Sequence, residues 1–256
     1  MVKSVERHRF IIDYLRNYKH VNVSYLSETL QVSEVTIRKD LDKLEEDHIL
    51  IRTHGGASLN ESLIFEPSFL DKEDKRTAEK QAIATEAAKL IESGMKIVLS
   101  TGTTVGYLPV LLRDKDSLTV VTNAINIATQ LVHEPNVDLL LTGGYTRKST
   151  YALIGEAAIR SLEDIYCQYA FIGTNGINAK YGITTPSMEE GAVVRKIIES
   201  AQQTVVLADH SKFEQAAFYR VCPIEKIHIL ITDHHTSPSI LQQFEDKGIQ
   251  VIVAEP

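Results

Sequence analysis

Apolar residues recur at helical spacing three times before residue 50. In Ser4–Tyr18, Val5, Phe10, Ile11, Tyr14, Leu15 and Tyr18 give one broad apolar face. A shorter helix is predicted from about Ser24 to Leu30, carrying Tyr25, Leu26, Thr29 and Leu30 and ending at Gln31-Val32. A third runs from Glu34 to about Asp47. There Ile37, Leu41, Leu44 and His48 fall on one side, and Val35, Lys39, Asp42, Lys43 and Glu46 on the other. Ser33 is placed to cap this helix, because its hydroxyl can accept from a first-turn amide. Two helices joined by so short a turn, the second basic near its start, predict helix-turn-helix geometry with the second helix in a DNA major groove. After it, residues 49–54 alternate and stop at Gly55-Gly56, which predicts a strand, a turn and a hairpin wing carrying Arg52 and His54.

From about residue 77 the pattern changes. Short apolar runs at 96–100, 118–122, 137–142, 169–173, 204–209, 227–232 and 249–253 alternate with helix-like stretches near 78–92, 104–113, 124–133, 155–165, 188–201 and 238–247. Apolar strand-like runs alternating with helical stretches predict a mostly parallel sheet covered on both faces. The fold class is therefore α/β: a winged helix-turn-helix domain over 3–58 (its helix-turn-helix about 20–39), a linker over 59–76, and a sheet domain over 77–256. The linker holds Pro67 and the charged run Asp71–Arg76.

Composition changes this picture little, but charge distribution sharpens it. With 256 residues, 43% hydrophobic and 24% charged, the chain is long enough for a sizeable core. The net charge of −7 argues weakly against DNA binding, yet residues 1–58 hold nine basic and nine acidic residues, so all the excess acidity lies beyond them. Glu45, Glu46 and Asp47 oppose the helix dipole at the end of the third helix, so they are expected to face solvent or tune specificity. The charged N-terminal stretch does not read as a signal peptide, and no apolar run approaches the length of a membrane span. Cys167 and Cys222 are far apart and show no metal or redox spacing, which fits reduced thiols in the cytoplasm.

In an open parallel sheet, ligands bind beyond the carboxyl ends of the strands. The loop Ser100-Thr101-Gly102-Thr103-Thr104 offers amides and hydroxyls to an anion, although an ordinary strand-to-helix turn has the same composition. Asn123 ends the second run. Gly143-Gly144 ends the third, with Arg147 and Lys148 just after it. Gly173-Thr174-Asn175-Gly176 ends the fourth, and Asp209-His210-Ser211-Lys212 the fifth. Small, hydroxyl and basic residues recurring at one edge favour a small anionic ligand. His234-His235 lacks the spacing and partners of a metal pair, and His133 and His228 read as packed or exposed. No Walker loop, G-x-G-x-x-G or G-x-S-x-G is present, so no nucleotide cofactor, metal or serine nucleophile is expected.

With these residues in place, the chain resembles the DeoR family of bacterial sugar-metabolism regulators. The DNA-binding signature reads Arg7, Ile11, Leu15, Ser33 and Thr36-Ile37-Arg38-Lys39-Asp40-Leu41, followed by His54-Gly55-Gly56-Ala57. The remainder is similar to the family's effector domain in Thr101-Gly102-Thr103-Thr104, Thr122-Asn123, Gly143-Gly144, Gly182-Ile183-Thr184-Thr185-Pro186 and Asp209–Phe213. Ser100 stands where the family commonly has aspartate, which affects which hydroxyls are recognised. The resemblance implies a repressor of a sugar catabolism or transport operon, released by a phosphorylated sugar. It also implies a ribose-5-phosphate isomerase-like sensor fold. The isomerase works with Asp-Gly-Ala-Asp, whereas this chain has Asn175-Gly176-Ile177-Asn178, and an amide cannot act as a general base near neutral pH.

The expected partners are thus an operator duplex, a phosphorylated sugar and further copies of the chain (a dimer or tetramer), with no membrane. Ser33, Val35, Thr36, Arg38 and Lys39 are expected at the DNA, with Lys43, Arg52 and His54 on its phosphates. Thr101, Gly102, Thr103, Thr104, Asn123, Gly143, Gly144, Arg147, Asn175, Asn178 and Lys212 are expected at the effector. Two rival readings are a sugar-phosphate isomerase with a DNA-binding appendage, against which the two amides count, and a module whose N-terminal helices bind protein.

Overall fold

A computed structural model describes residues 4–46, 50–59 and 68–255. His48, Asp47 and the connector 60–67, together with the side chains of Val5 and Glu46, lie outside the described residues. The chain forms two compact units, Met1–Glu66 and Pro67–Pro256.

The first unit comprises α1 (Ser4–Tyr18), β1 (His20–Asn22), α2 (Val23–Leu30), α3 (Glu34–Glu46), β2 (Leu50–Thr53) and β3 (Gly56–Leu59). Its core is Ile11, Leu15, Val21, Val23, Leu26, Leu30, Ile37, Leu41, Leu44, Leu50 and Ala57. The apolar face expected on α1 is narrower in the structure. Ile11 and Leu15 are fully buried, while Tyr18 is exposed and stacks on Tyr14. The hairpin β2–β3 gains a third, antiparallel strand, β1, in the order β1-β3-β2. Three residues are too few to show an alternating pattern, so β1 is absent from the sequence reading.

The second unit begins with α4 (Phe69–Glu73), within the stretch read as linker, and α5 (Thr77–Ala88). Ser68 and Asp71 close a capping box at the start of α4. Next come β4 (Lys96–Leu99), a three-ten turn (Val105–Tyr107), α6 (Leu108–Leu111), β5 (Leu118–Thr122), α7 (Ile125–Leu131), β6 (Val137–Leu141), β7 (Tyr145–Arg147), β8 (Ala152–Ile154), α8 (Glu156–Arg160) and β9 (Cys167–Gly173). The chain ends with β10 (Gly176–Asn178), β11 (Gly182–Thr185), α9 (Met188–Glu199), β12 (Ala201–Leu207), β13 (Tyr219–Cys222), β14 (Ile229–Asp233), α10 (Pro238–Glu245) and β15 (Gln250–Ala254).

Seven strands, one for each apolar run in the sequence, form a parallel sheet ordered β15-β14-β12-β9-β4-β5-β6. Alternate residues of one strand feed opposite cores. Val98 and Val121 pack with α8, α9 and α10, whereas Ile97, Leu99 and Val120 pack with α5, α6 and α7. Burial on both faces is why these strands are apolar throughout. The chain runs from β4 outward to β6, then returns to place β9 on the other side of β4. The order therefore reverses between β4 and β9, the switch point where an open sheet leaves a crevice. β6 is an edge strand with Leu140 and Leu141 exposed, unlike the buried interior strands.

Candidate functional site

In the first unit, α3 presents the face that the sequence indicated. Ile37, Leu41 and Leu44 are buried, while Val35, Arg38, Lys39, Asp42 and Lys43 are exposed. Ser33 caps the helix, its Oγ accepting from the Thr36 amide at 3.2 Å and lying 2.9 Å from Thr36 Oγ1. Gln31, in the left-handed region at φ 54°, ends α2 and makes the tight turn. Arg38 folds back on Glu34 at 2.7 Å across one exposed helical turn, a pair weak enough to exchange for a nucleic-acid partner.

Two residues of this region are structural. Asp40, on α3, is buried and accepts from Arg7 Nε at 2.7 Å and Nη2 at 2.9 Å, with His8 Nε2 at 3.0 Å. Burial alone would raise its pKa, but the hydrogen bonds and charges of Arg7 and His8 outweigh that and hold the carboxyl below its ordinary value. The pair ties α1 to α3 through a bidentate fork. Arg52, expected on DNA phosphates, donates to Asp42 Oδ1 at 2.8 Å and to the Arg38 carbonyl at 3.2 Å. The Arg52 amide donates to Glu45 Oε1 at 2.7 Å. Asp42 and Glu45 thus fasten the wing to α3, and the exposed His54 stands at the hairpin turn.

In the second unit the loops after β4 and β9 meet at the switch point. A Cβ on Gly102, at φ 142°, would lie 3.4 Å from Gly173 Cα, so the two backbones touch. The loop after β12 joins them through a parallel bridge between Ile177 and Phe213. Thr101 Oγ1 donates to Glu190 Oε1 at 3.0 Å, Thr150 Oγ1 to Glu190 Oε2 at 3.3 Å, and Arg147 Nη1 lies 3.6 Å from the same oxygen. Glu190 thereby links Thr101 to Arg147 of the β7–β8 hairpin. Ser100, buried beneath this loop, has an Oγ without a hydrogen-bond partner. Asn175 Oδ1 accepts from Thr185 Oγ1 at 3.3 Å. Lys212 sits in the turn His210–Lys212 with its amide on the Asp209 carbonyl at 2.9 Å. Burial lowers its pKa, and neighbouring cations lower it further against the pull of Asp209.

Other expected residues are engaged elsewhere. Asn178 Oδ1 accepts from the Lys180 amide at 2.8 Å and the Tyr181 amide at 3.3 Å, closing the β10–β11 turn. Asn123 is fully buried, and its Nδ2 donates to the Leu153 carbonyl at 3.3 Å. Gly144, at φ 123°, starts the β7–β8 hairpin, where a Cβ would stand 2.4 Å from the Ile154 carbonyl oxygen; Gly143 packs beside it on Ala157. Thr104 is buried, and the helix expected at 104–113 is a three-ten turn and one α-turn containing Pro109. Thr103 lines a neighbouring cavity of about 230 Å³ with Phe69, Tyr107, Asn126 and Tyr151.

Glu190 carries no ligand signal in the sequence, where Ser187-Met188-Glu189-Glu190 fits the S-x-x-E capping pattern. Ser187 Oγ does cap the Glu190 amide at 3.2 Å, but the carboxylate reaches across the fold. Lys72, Lys75 and Arg76 fall in the stretch read as linker, and Lys80 in the helix that follows it. Lys80 is buried, its ammonium donating to the Lys72 carbonyl and to the Glu73 carbonyl at 3.3 Å. His235 donates its amide to Asp233, and no group of metal ligands occurs among the described residues.

The family model described as DeoR-like helix-turn-helix domain matches residues 7–63, and the one described as DeoR C terminal sensor domain matches residues 75–234. The chain is 35% identical to the HTH-type transcriptional repressor GlcR of Bacillus subtilis (strain 168), over 98% of this chain and 96% of the relative. It is 30% identical to the glycerol-3-phosphate regulon repressor of Escherichia coli (strain K12), over 98% and 99%. Among solved structures, ribose 5 phosphate isomerase A from Neisseria gonorrhoeae is a loose match, with a TM-score of 0.40 and 15% identity over 52% of each chain.

Proposed function

The chain belongs to the DeoR family of helix-turn-helix transcriptional regulators, and on that footing we propose that it represses a sugar catabolism or transport operon and is released by a phosphorylated sugar. The observation that carries this reading is α3, clamped in the core on one side and presenting Arg38, Lys39 and Lys43 on the other. Arg38, freed from Glu34, is the residue assigned to a base edge, with Thr36 and Val35 beside it. Lys39, Lys43 and His54 are assigned to phosphates, which fix register without reading sequence. Arg52 keeps the wing in place.

The effector is assigned to the crevice at the β4/β9 switch point, between Thr101–Gly102, Asn175, Arg147 and Lys212. The regulon in the name of the glycerol-3-phosphate repressor supports a phosphorylated small polyol or sugar as the ligand class. Release requires the effector to prefer one arrangement of the DNA-binding units over another. Paired units read half-sites about 34–36 Å apart or a multiple of it, so a modest rotation is enough to release the duplex. The exposed apolar edge formed by Leu140, Leu141 and Tyr145 supports self-association through the sheet domain. No described helix is long and apolar enough to cross a membrane, and a DNA-bound regulator belongs in the cytoplasm.

The test is a gel shift on DNA from upstream of the chain's own gene, at two salt concentrations and with a panel of sugar phosphates. Retention that weakens with salt, together with release by one phosphorylated sugar, is expected. No retention of any such duplex would refute the reading.

A further inference from the structure

The cavity of about 230 Å³ beside Thr103 lies between α4, the three-ten turn after β4 and α7. Its walls are pinned by bonds made outside it. The Phe69 amide donates to the Ser149 carbonyl at 2.7 Å, and the Phe69 ring lies 5.2 Å from that of Tyr151, so α4 is anchored as one wall. Tyr151 stands at φ 58°, a conformation costly for a non-glycine residue, and its carbonyl accepts from the Ile125 amide at the start of α7 at 3.0 Å. Tyr107 supplies a third ring. Gly106 leaves a gap in the wall, where a Cβ would meet nothing nearer than Asn126 Nδ2 at 3.7 Å.

The side-chain polar groups on these walls are amides, hydroxyls and one carboxylate. Asn126 Oδ1 is buried without a hydrogen-bond partner, so this amide can turn about χ2 without breaking a bond to that oxygen. Gln130 Nε2 donates to the Asn126 carbonyl at 3.2 Å and to the Gly106 carbonyl at 3.4 Å, which leaves its Oε1 to accept. Thr103 adds a hydroxyl and Glu73 a carboxylate, and no lysine, arginine or histidine lines the space. A phosphorylated ligand would bring its charge against Glu73 with no cation to meet it. A neutral ligand rich in hydroxyls donates to the carboxylate and the two amide oxygens, and its C–H face packs on the rings. We propose that this cavity binds an unphosphorylated monosaccharide, at a site separate from the crevice assigned to the phosphorylated effector. Its volume falls below the range of about 300–1,000 Å³ for drug-sized ligands, which suits a single sugar ring.

The test titrates the full chain with glucose, galactose, mannose and fructose by saturation-transfer NMR, after circular dichroism has verified the fold of each variant. Wild type is expected to bind at least one of them. Gly106→Leu, whose side chain would fill the gap beside Asn126, is expected to abolish that binding. Asn126→Leu is expected to weaken it at least about fivefold, because an amide oxygen that bonds nothing else in the protein is lost. The Gly106 amide also donates to the Gly102 carbonyl at 2.9 Å, so Asn126→Leu keeps the test valid if Gly106→Leu disturbs that loop. Gln242→Ala, on α10 at the other face of the sheet, is expected to bind as wild type does. No binding of any of the four sugars by wild type, or wild-type binding by both cavity variants, overturns the proposal. The phosphate ester of the bound sugar is expected not to displace it, and displacement from wild type overturns the neutral-ligand assignment. The gel shift keeps the two sites apart. Asn126→Leu is expected to leave DNA with the same phosphorylated sugar as wild type, and loss of that release would merge the cavity with the crevice and overturn the proposal. The neutral-sugar titration involves no DNA, so failure of the sensor reading leaves this site standing.

Discussion

Replacing Asp40 with asparagine should strongly destabilise the DNA-binding unit, although Asp40 lies in the middle of the helix assigned to DNA. The carboxylate is 6% exposed and Arg7 9%, so the variant leaves a guanidinium buried without its counter-charge. It also turns one of the two carboxylate oxygens into an amide donor, so the Arg7 bonds at 2.7 and 2.9 Å and the His8 contact at 3.0 Å no longer all have an acceptor. Breaking one side of such a pair costs about 3–5 kcal/mol. At about 0.05–0.15 kcal/mol per residue, a unit spanning Met1–Glu66 has only about 3–10 kcal/mol in total. Between about a third and all of its stability is therefore at stake. Replacing both partners with apolar residues, as in Arg7→Met with Asp40→Leu, should restore much of the loss, because no unpaired charge stays buried. Urea unfolding of the full chain, followed by amide exchange in α3, separates this unit from the sheet domain. DNA binding should vanish in the single variant and return with the fold in the double one. The reasoning is refuted if Asp40→Asn unfolds within about 0.5 kcal/mol of wild type. A variant that is folded but does not bind DNA would instead assign Asp40 to DNA contact.

The same pair fixes the acid limb of stability. Asp40 titrates below its ordinary carboxylate value in the folded unit, so its contribution is complete above roughly pH 4 and is lost as pH falls through the depressed value. In that window the unfolded chain binds more protons, so stability rises with pH. A variant lacking the pair should show a flatter acid limb.

Arg38→Ala should lower operator affinity by about 1–3 kcal/mol, or roughly 5- to 150-fold, while changing stability by less than about 0.5 kcal/mol, since the Glu34 pair is exposed. Wild-type affinity in a gel shift would remove Arg38 from base reading. Cys222, its thiol pushed by burial to about 11, should resist a thiol reagent at pH 8 in the folded protein and react fully in denaturant; fast native labelling would show that the β11–β13 region opens. Leu141→Lys should shift sedimentation toward the monomer while leaving the fold intact, and an unchanged oligomer would clear the β6 edge of that role.

The sequence by itself determined the elements whose signal is local. Three helices, the Ser33 cap of the third and seven largely apolar strands were readable, because burial of the interior strands on two faces leaves little room for a polar alternation. The order of loops at the carboxyl edge followed from the parallel arrangement. Tertiary structure alone decided what depends on partners distant in the chain. β1, β7, β8, β10, β11 and β13 are three or four residues each and form only where a neighbour pairs with them. Arg7 finds Asp40 across 33 residues, and Thr101 finds Glu190 across 89. Asn178, which the resemblance put at the ligand, and Gly144, at the carboxyl end of a strand, shape turns. A charge or an amide on the chain carries no label for its partner. Only the fold sets the distances at which a carboxylate becomes a clamp, a cap or a ligand contact.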